Sequence, residues 1–104
     1  MDTLKLTAQV KRKLNITWSD PDTDARVADI ISSATAYLLY QLGIKDAVFD
    51  FADAGIENEL FLACCFYEWN HVFEEFVNNY KGMIMSARAK YEVSQHESGG
   101  GDGE

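Results

Sequence analysis

Three aspartates at alternate positions, Asp20, Asp22 and Asp24, are the clearest set of possible metal ligands in the chain. A D-x-D-x-D run opens the calcium-binding loop of an EF-hand, in which positions one, three and five supply carboxylate oxygens. That loop also needs a glycine at position six and a bidentate glutamate at position twelve, where this sequence has Ala25 and Ile31. The incomplete match favours another role for the three acids.

The same acids fit the start of an α-helix. Pro21 disfavours a helical conformation for Asp20 and suits the first helical position, so we expect Asp20 to be the N-cap. Asp22 and Asp24 then lie in the first turn, where the helix dipole makes each acid stabilising by about 0.3–1 kcal/mol. The sequence therefore predicts a structural role for this cluster.

His71 is the histidine best placed for acid–base chemistry, because Glu68 precedes it by three residues and Glu75 follows it by four. On a continuous helix, both carboxylates flank the imidazole on one face. The same spacing is typical of an exposed ion pair, and the zinc motif H-E-x-x-H is absent. We favour the ion pair, with a small enzyme built around these three residues as a rival hypothesis.

Other chemical groups are few. The adjacent cysteines, Cys64 and Cys65, lie in an apolar run, which predicts buried, reduced thiols and no disulfide or zinc site. The glycines cluster only near the C-terminus, so no phosphate-binding loop is predicted. Without a convergent nucleophile, base and oxyanion donor, we expect no enzyme, cofactor or catalytic metal.

The net charge of −8 is unevenly distributed. Residues 3–13 and 81–91 carry basic side chains and no acids, whereas residues 14–80 hold 12 acids against only Arg26 and Lys45. Such an acidic chain is poorly suited to binding DNA phosphates. The segregated charge indicates either solvated helix faces or charge-complementary contacts with another copy or a partner.

The length and the 47% hydrophobic content predict one small domain, residues 1–93. Apolar periodicity predicts an all-α bundle of three to four helices: 3–14, 21–42 ending at Gly43, a long aromatic helix from 58 to about 80, and a fourth helix or bent continuation after Gly82. We expect residues 44–56 to be a structured loop and residues 94–104, which lack apolar side chains, to be a disordered acidic tail. No apolar run reaches membrane-spanning length and no signal peptide is evident, so we expect a soluble intracellular protein with no membrane contact.

The predicted third helix carries an apolar stripe at steps of four and three residues. Its members are Leu62, Phe66, Trp69, Phe73, Phe76 and Tyr80. We expect most of the stripe, including Phe66 and Phe73, to lie in the core. In so small a domain, we expect another subunit to cover part of this surface.

The order of these features resembles that of the small head–tail connector proteins of tailed bacteriophages, also called head-completion or adaptor proteins. The similar segments are "VKRKLNI", "DPDTDARVADIISSATAYLLYQLGI" and "FYEWNHVFEEFVNNYKGMIMSARAKY", and the resemblance covers residues 4–92. The matching positions are Lys11, Leu14, Ile16, Asp24, Ile31, Ala34, Leu38, Gly43, Asn70, Phe76, Tyr80, Arg88 and Tyr91.

This resemblance implies an all-α subunit that forms a ring under the portal and extends the DNA channel. The expected partners are other copies of the chain, the portal protein and a downstream tail or stopper protein, while DNA passes without specific binding. The expected location is the neck of the virion, after assembly in the host bacterial cytoplasm. The alternative is a small helical host or prophage adaptor or regulatory protein that binds a protein partner.

The candidate interface combines the basic ends with aromatic residues. Its basic members are Arg12, Lys81, Arg88 and Lys90, and its aromatic members are Trp69 and Tyr80. Basic residues could contact the acidic middle segment of a neighbouring copy or the portal. Aromatic residues are the commonest source of interface binding energy, which makes the second group an independent candidate.

Overall fold

The computed structural model describes residues 3–46, 49–53 and 55–100, with side-chain surroundings from residue 4 to residue 92. The helices are α1 (Thr3–Lys13), α2 (Pro21–Leu42), α3 (Ile56–Trp69), α4 (Phe73–Asn79) and α5 (Lys81–Gly100). These described ranges contain no strand. The predicted all-α fold is confirmed, with five helices where three to four were expected.

Both predicted ends of α2 are confirmed. A side-chain oxygen of Asp20 accepts a 2.9 Å hydrogen bond from the Thr23 amide, and Pro21 is the first helical residue. At the other end Gly43 adopts the left-handed conformation, with φ 70° and ψ 28°. The amide of Ile44 then reaches back to the Leu39 carbonyl at 3.0 Å, which closes a Schellman motif.

The predicted long helix over residues 58–80 is wrong, because the chain leaves the helical path between α3 and α4. His71 has a φ of 63°, and the amide of Val72 donates to the Tyr67 carbonyl at 2.9 Å. This is the same Schellman closure as at Gly43, made here with a histidine in the left-handed position. We call residues 70–72 the elbow.

A second break lies between α4 and α5, at Tyr80 and not at Gly82 as predicted. The Tyr80 amide still donates to the Phe76 carbonyl at 2.9 Å, and the Ile84 amide donates to the Tyr80 carbonyl at 2.9 Å. The first of these bonds ends α4 and the second begins α5, and Tyr80 between them is not helical. α5 is therefore a separate helix that starts directly after the break, which is one of the two predicted arrangements.

The core is made where α1, α3 and α5 pack around α2. α5 contributes the buried Ile84 and Ala87. The fully buried large side chains come from the other four helices and the loop before α3: Leu6, Val10, Val27, Leu38, Leu42, Phe51, Leu60, Phe61, Cys64, Cys65 and Phe76. The predicted burial of both thiols is confirmed. Of the predicted aromatic stripe, Phe76 is buried and Phe73 is half-buried, but Phe66 is 39% exposed. The prediction for Phe66 is wrong because α3 turns Phe61, Cys64 and Cys65 toward the core instead.

The segment before α3 is a structured loop in its described part, as predicted. Phe51 is fully buried and its ring lies 5.1 Å from that of Phe61, while Phe49 packs edge-on against Phe51 at 5.0 Å. Residues 47, 48 and 54 of this segment lie outside the described part of the chain.

The predicted tail, residues 94–104, overlaps the end of α5, whose backbone is helical to Gly100. Its side chains and residues 101–104 lie outside the described part of the chain, so its disorder stays a prediction. None of the helices in the described part is long and apolar enough to cross a membrane.

Candidate interaction surfaces

Arg26 of α2 holds the elbow. Its Nη2 donates a 2.6 Å hydrogen bond to the Trp69 carbonyl oxygen and lies 3.1 Å from Nε2 of His71. The guanidinium carbon also lies 4.0 Å from the centroid of the Trp69 ring. Since a guanidinium can only donate, the Arg26–His71 contact is a hydrogen bond in the tautomer of His71 that carries its proton on Nδ1.

A surface groove of about 580 Å³ lies beside the elbow, lined by Glu68, His71, Val72, Phe73, Glu74 and Glu75. The predicted ion pair of His71 with its neighbouring glutamates is wrong: His71 is not helical, and its partner in the described residues is Arg26. Ser33 donates to Oε2 of Glu68 at 3.4 Å, while Oε1 of Glu68 is buried without a partner. Burial raises the pKa of Glu68, against the opposing effect of the Ser33 hydrogen bond.

The groove contains acids and an imidazole but no hydrogen-bonded nucleophile and base. Ser33 points to Glu68 and not to His71. Burial raises the pKa of Cys64 to about 12 and also raises the pKa of Cys65, which keeps both thiols protonated and unreactive at neutral pH. Within the described ranges, no group of three acidic, histidine or cysteine side chains could hold a metal ion.

The acids that begin α2 serve the helix and its neighbour α1. Both carboxylate oxygens of Asp20 accept hydrogen bonds from Thr23, which lowers the pKa of Asp20. Asp24 accepts hydrogen bonds from Lys11 at 2.8 Å and from Ser19 at 3.0 Å, and these bonds lower its pKa. The helix-start interpretation is confirmed.

Two of the predicted interface cations have partners within the same chain. Nη1 of Arg88 donates to the Gln41 carbonyl at 2.9 Å, and its Nε donates to Glu92 at 2.9 Å. Arg88 thereby satisfies a carbonyl at the C-terminal end of α2. The ammonium of Lys90 pairs with Glu57 of α3, where the phenol of Tyr91 also donates. Both residues therefore hold α5 onto the bundle.

The other two predicted cations, Arg12 and Lys81, are exposed and have no ionic or hydrogen-bonding partner among the described contacts. Arg12 borders a shallow groove of about 280 Å³ that also contains Gln9, Lys13, Asn58 and Leu62. These two positions keep their charge available for another molecule.

The two aromatic residues of the candidate interface, Trp69 and Tyr80, mainly contact other side chains of the same chain. Trp69 is half-buried beneath Arg26, and Tyr80 stacks on Phe76 with ring centroids 4.9 Å apart. Sequence reasoning missed the most exposed apolar side chains, Leu4 at 85% and Tyr40 at 78%. Tyr40 lies one turn after Ala36 and outside the core stripe of α2, so its position in the apolar periodicity of the sequence indicates that its side chain is exposed.

A second groove separates α1 from the outer face of α2. It encloses about 420 Å³ and is lined by Thr7, Ala28, Ile31, Ser32, Thr35, Ala36 and Leu39. Most of these side chains are small, so another helix could approach the α2 backbone closely. We call this the α1–α2 groove.

Comparison of the chain with protein-family models, with curated proteins and with solved structures finds no match.

Proposed function

We propose that this protein is a structural virion protein, a head–tail connector subunit that forms a ring under the portal and docks the next tail component. The observation that carries the proposal is the presence of apolar exposure on two separate faces. Leu4 and Tyr40 lie at the α1–α2 side, whereas Val77 and Met85 lie on α4 and α5. A ring built head to tail needs two different complementary faces on each copy.

The charge distribution supports the same proposal. Arg12 and Lys81 are unpaired among the described contacts, while Asp22, Asp29 and Glu74 are exposed acids of the middle segment. Opposite charges on different faces favour one orientation of neighbouring copies and penalise others. The acidic balance also suits a channel through which a DNA duplex passes without binding.

Under this proposal the protein has no catalytic role and requires no cofactor. It acts in the neck of the virion after assembly in the host bacterial cytoplasm. Its partners are further copies, the portal protein and a downstream tail or stopper protein. The groove at the elbow is then a feature of the surface and not an active site.

The second candidate is a helical host or prophage adaptor that binds a protein partner. The α1–α2 groove favours it, because an apolar groove lined by small side chains fits one amphipathic helix. The two candidates differ in self-association: an adaptor stays monomeric and binds one peptide, whereas a connector forms rings.

Electron microscopy of the purified protein, alone and mixed with portal particles, tests the proposal. We expect rings, or added density at the outlet of the portal. The variant Arg12→Glu/Lys81→Glu should give fewer portals with added density. The control Arg12→Glu/Lys45→Glu changes the net charge by the same amount but keeps Lys81, so the difference between the two variants measures the effect of Lys81. A wild-type protein that remains monomeric and leaves the portal unchanged contradicts the connector function.

A further inference from the structure

The α1–α2 groove continues into exposed apolar surface at one end. Leu4 precedes the lining residue Thr7 by one turn, and Tyr40 follows the lining residue Ala36 by one turn. Both flanking side chains are mostly exposed. The groove and its flank form one apolar strip, and strips of this kind on soluble domains mark contact sites.

An acid lies at the edge of this groove. Asp29 follows the lining residue Ala28 and precedes Ser32 by one turn of α2. Its side chain is exposed and has no partner among the described contacts. A helix that enters the groove with a cation at the corresponding position can therefore form an ion pair with the Asp29 carboxylate.

α4 and α5 carry a ridge with the complementary pattern. Lys81 and Met85 lie four residues apart in α5 and therefore on one face of that helix, and Val77 is the exposed residue of α4 four positions before Lys81. Val77 is 37% exposed and Met85 is 61% exposed, with the unpaired ammonium of Lys81 between them. We call these three residues the ridge.

The ridge cannot enter the groove of its own chain. Phe76 of α4 and Ile84 of α5 are buried in the core, and Arg88 holds α5 against the C-terminal end of α2. The groove on α1 and α2 and the ridge on α4 and α5 therefore both face outward, because these helices pack against one another through their buried sides. Only a second molecule can bring the two surfaces into contact.

We propose that the ridge of one copy docks in the α1–α2 groove of the next copy, with Met85 and Val77 against the small side chains and Lys81 paired with Asp29. This inference rests on the proposed function, for which it names the contact between ring neighbours. Because the two surfaces differ, a bound pair still has one open groove and one open ridge, so further copies add through the same contact and form a ring where the rotation closes.

A charge-swap experiment tests this contact in the full-length protein. Sedimentation velocity at low salt measures the self-association of wild type, Lys81→Asp, Asp29→Lys and the double swap. Each single reversal places like charges in contact and should weaken association about tenfold, and the double swap should return it to within about threefold of wild type. The controls Lys45→Asp and Asp53→Lys change net charge equally at exposed loop positions and should behave as wild type.

A second variant tests the apolar part without changing charge. Ala36→Trp fills the groove from within and should weaken self-association about tenfold, while circular dichroism confirms that the helices remain. The proposal is overturned if the double swap associates as weakly as the singles. It is also overturned if Ala36→Trp associates normally, or if the wild type stays monomeric at its highest soluble concentration.

Portal binding is measured separately, so that the two proposals can fail independently. Swap-sensitive self-association without portal attachment supports the contact and contradicts the connector function. If the protein attaches to the portal and its self-association is unchanged by the substitutions at Lys81 and Asp29, the connector function is supported and this contact is overturned. A monomer whose groove captures an amphipathic helical peptide overturns the contact and favours the adaptor.

Discussion

The guanidinium of Arg26 stacks on the indole of Trp69, 4.0 Å from its ring centroid, and donates a 2.6 Å hydrogen bond to the carbonyl oxygen of the same residue. One side chain of α2 thus binds both the ring and the backbone at the last residue of α3. The carbonyl belongs to the end of a helix, where four such groups lack helical partners. Arg26 therefore stabilises the point at which the chain turns into the elbow.

Replacing Arg26 should destabilise the fold. Arg26→Ala removes a charged hydrogen bond and a cation–π contact, and we expect the free energy of unfolding to fall by about 1.5–3 kcal/mol. Arg26→Lys should recover only part of this loss, because an ammonium cannot stack and donate as a planar guanidinium does. Urea denaturation followed by circular dichroism measures both. Arg12→Ala is the matched control and should change stability by less than about 0.5 kcal/mol.

Arg88 should contribute to stability as well as charge. Its bond to the Gln41 carbonyl is made at an exposed position, so Arg88→Ala should lower the free energy of unfolding by about 1 kcal/mol. Lys81→Ala, which removes an unpaired exposed cation, should have almost no effect in the same denaturation experiment. Equal effects of the two substitutions would show that the bond to α2 does not stabilise the protein.

The three phenylalanines of the predicted stripe should differ in their energetic importance. Phe76 is fully buried, and Phe76→Ala should cost about 3–5 kcal/mol of unfolding free energy. Phe73 is half-buried beside Tyr37, and Phe73→Ala should cost less than Phe76→Ala. Phe66→Ala should cost under about 1 kcal/mol, since that ring is exposed. A loss at Phe66 as large as that at Phe76 would contradict the burial pattern.

Glu68 should make stability depend on pH. Burial raises its folded pKa above the ordinary value, so the folded state holds this proton more tightly than the unfolded state. The contribution of Glu68 to stability therefore decreases as pH rises from the unfolded pKa through the folded pKa. Glu68→Gln should be more stable than wild type at pH 7, by up to about 1 kcal/mol given its partial exposure, and the difference should vanish in acid. Glu74→Gln, at an exposed position, is the control for total charge.

The ends of α2 could be predicted because their signals are local. Asp20 followed by Pro21 specifies an N-cap, and Gly43 supplies a left-handed residue at no steric cost. The elbow could not be predicted, because His71 takes the same left-handed position without a glycine or proline nearby. Its partner Arg26 is distant in sequence, so the turn depends on tertiary packing.

The same distinction applies to the candidate interface. Arg12, Lys81, Arg88 and Lys90 have one charge pattern in sequence, yet only two of them remain without partners in the described contacts. Which cations are used internally depends on where α5 meets Gln41 and Glu57. Charge segregation in the sequence thus indicates where the cations cluster, but the packing of α5 determines which of them lack a partner in the described contacts.

Assembly should depend on the two cations that the fold leaves unpaired. We expect Arg12→Glu/Lys81→Glu to reduce ring formation or portal attachment while the free energy of unfolding stays within about 0.5 kcal/mol of wild type, because neither side chain has an internal partner among the described contacts. Added salt should weaken wild-type assembly in the same direction, since exposed charges are screened within about 10 Å at 0.1 M salt. Arg88→Glu/Lys90→Glu should instead lower monomer stability first. If Arg12→Glu/Lys81→Glu assembles normally at low salt, then charge does not drive assembly, and the apolar strip of Leu4 and Tyr40 becomes the surface to mutate next.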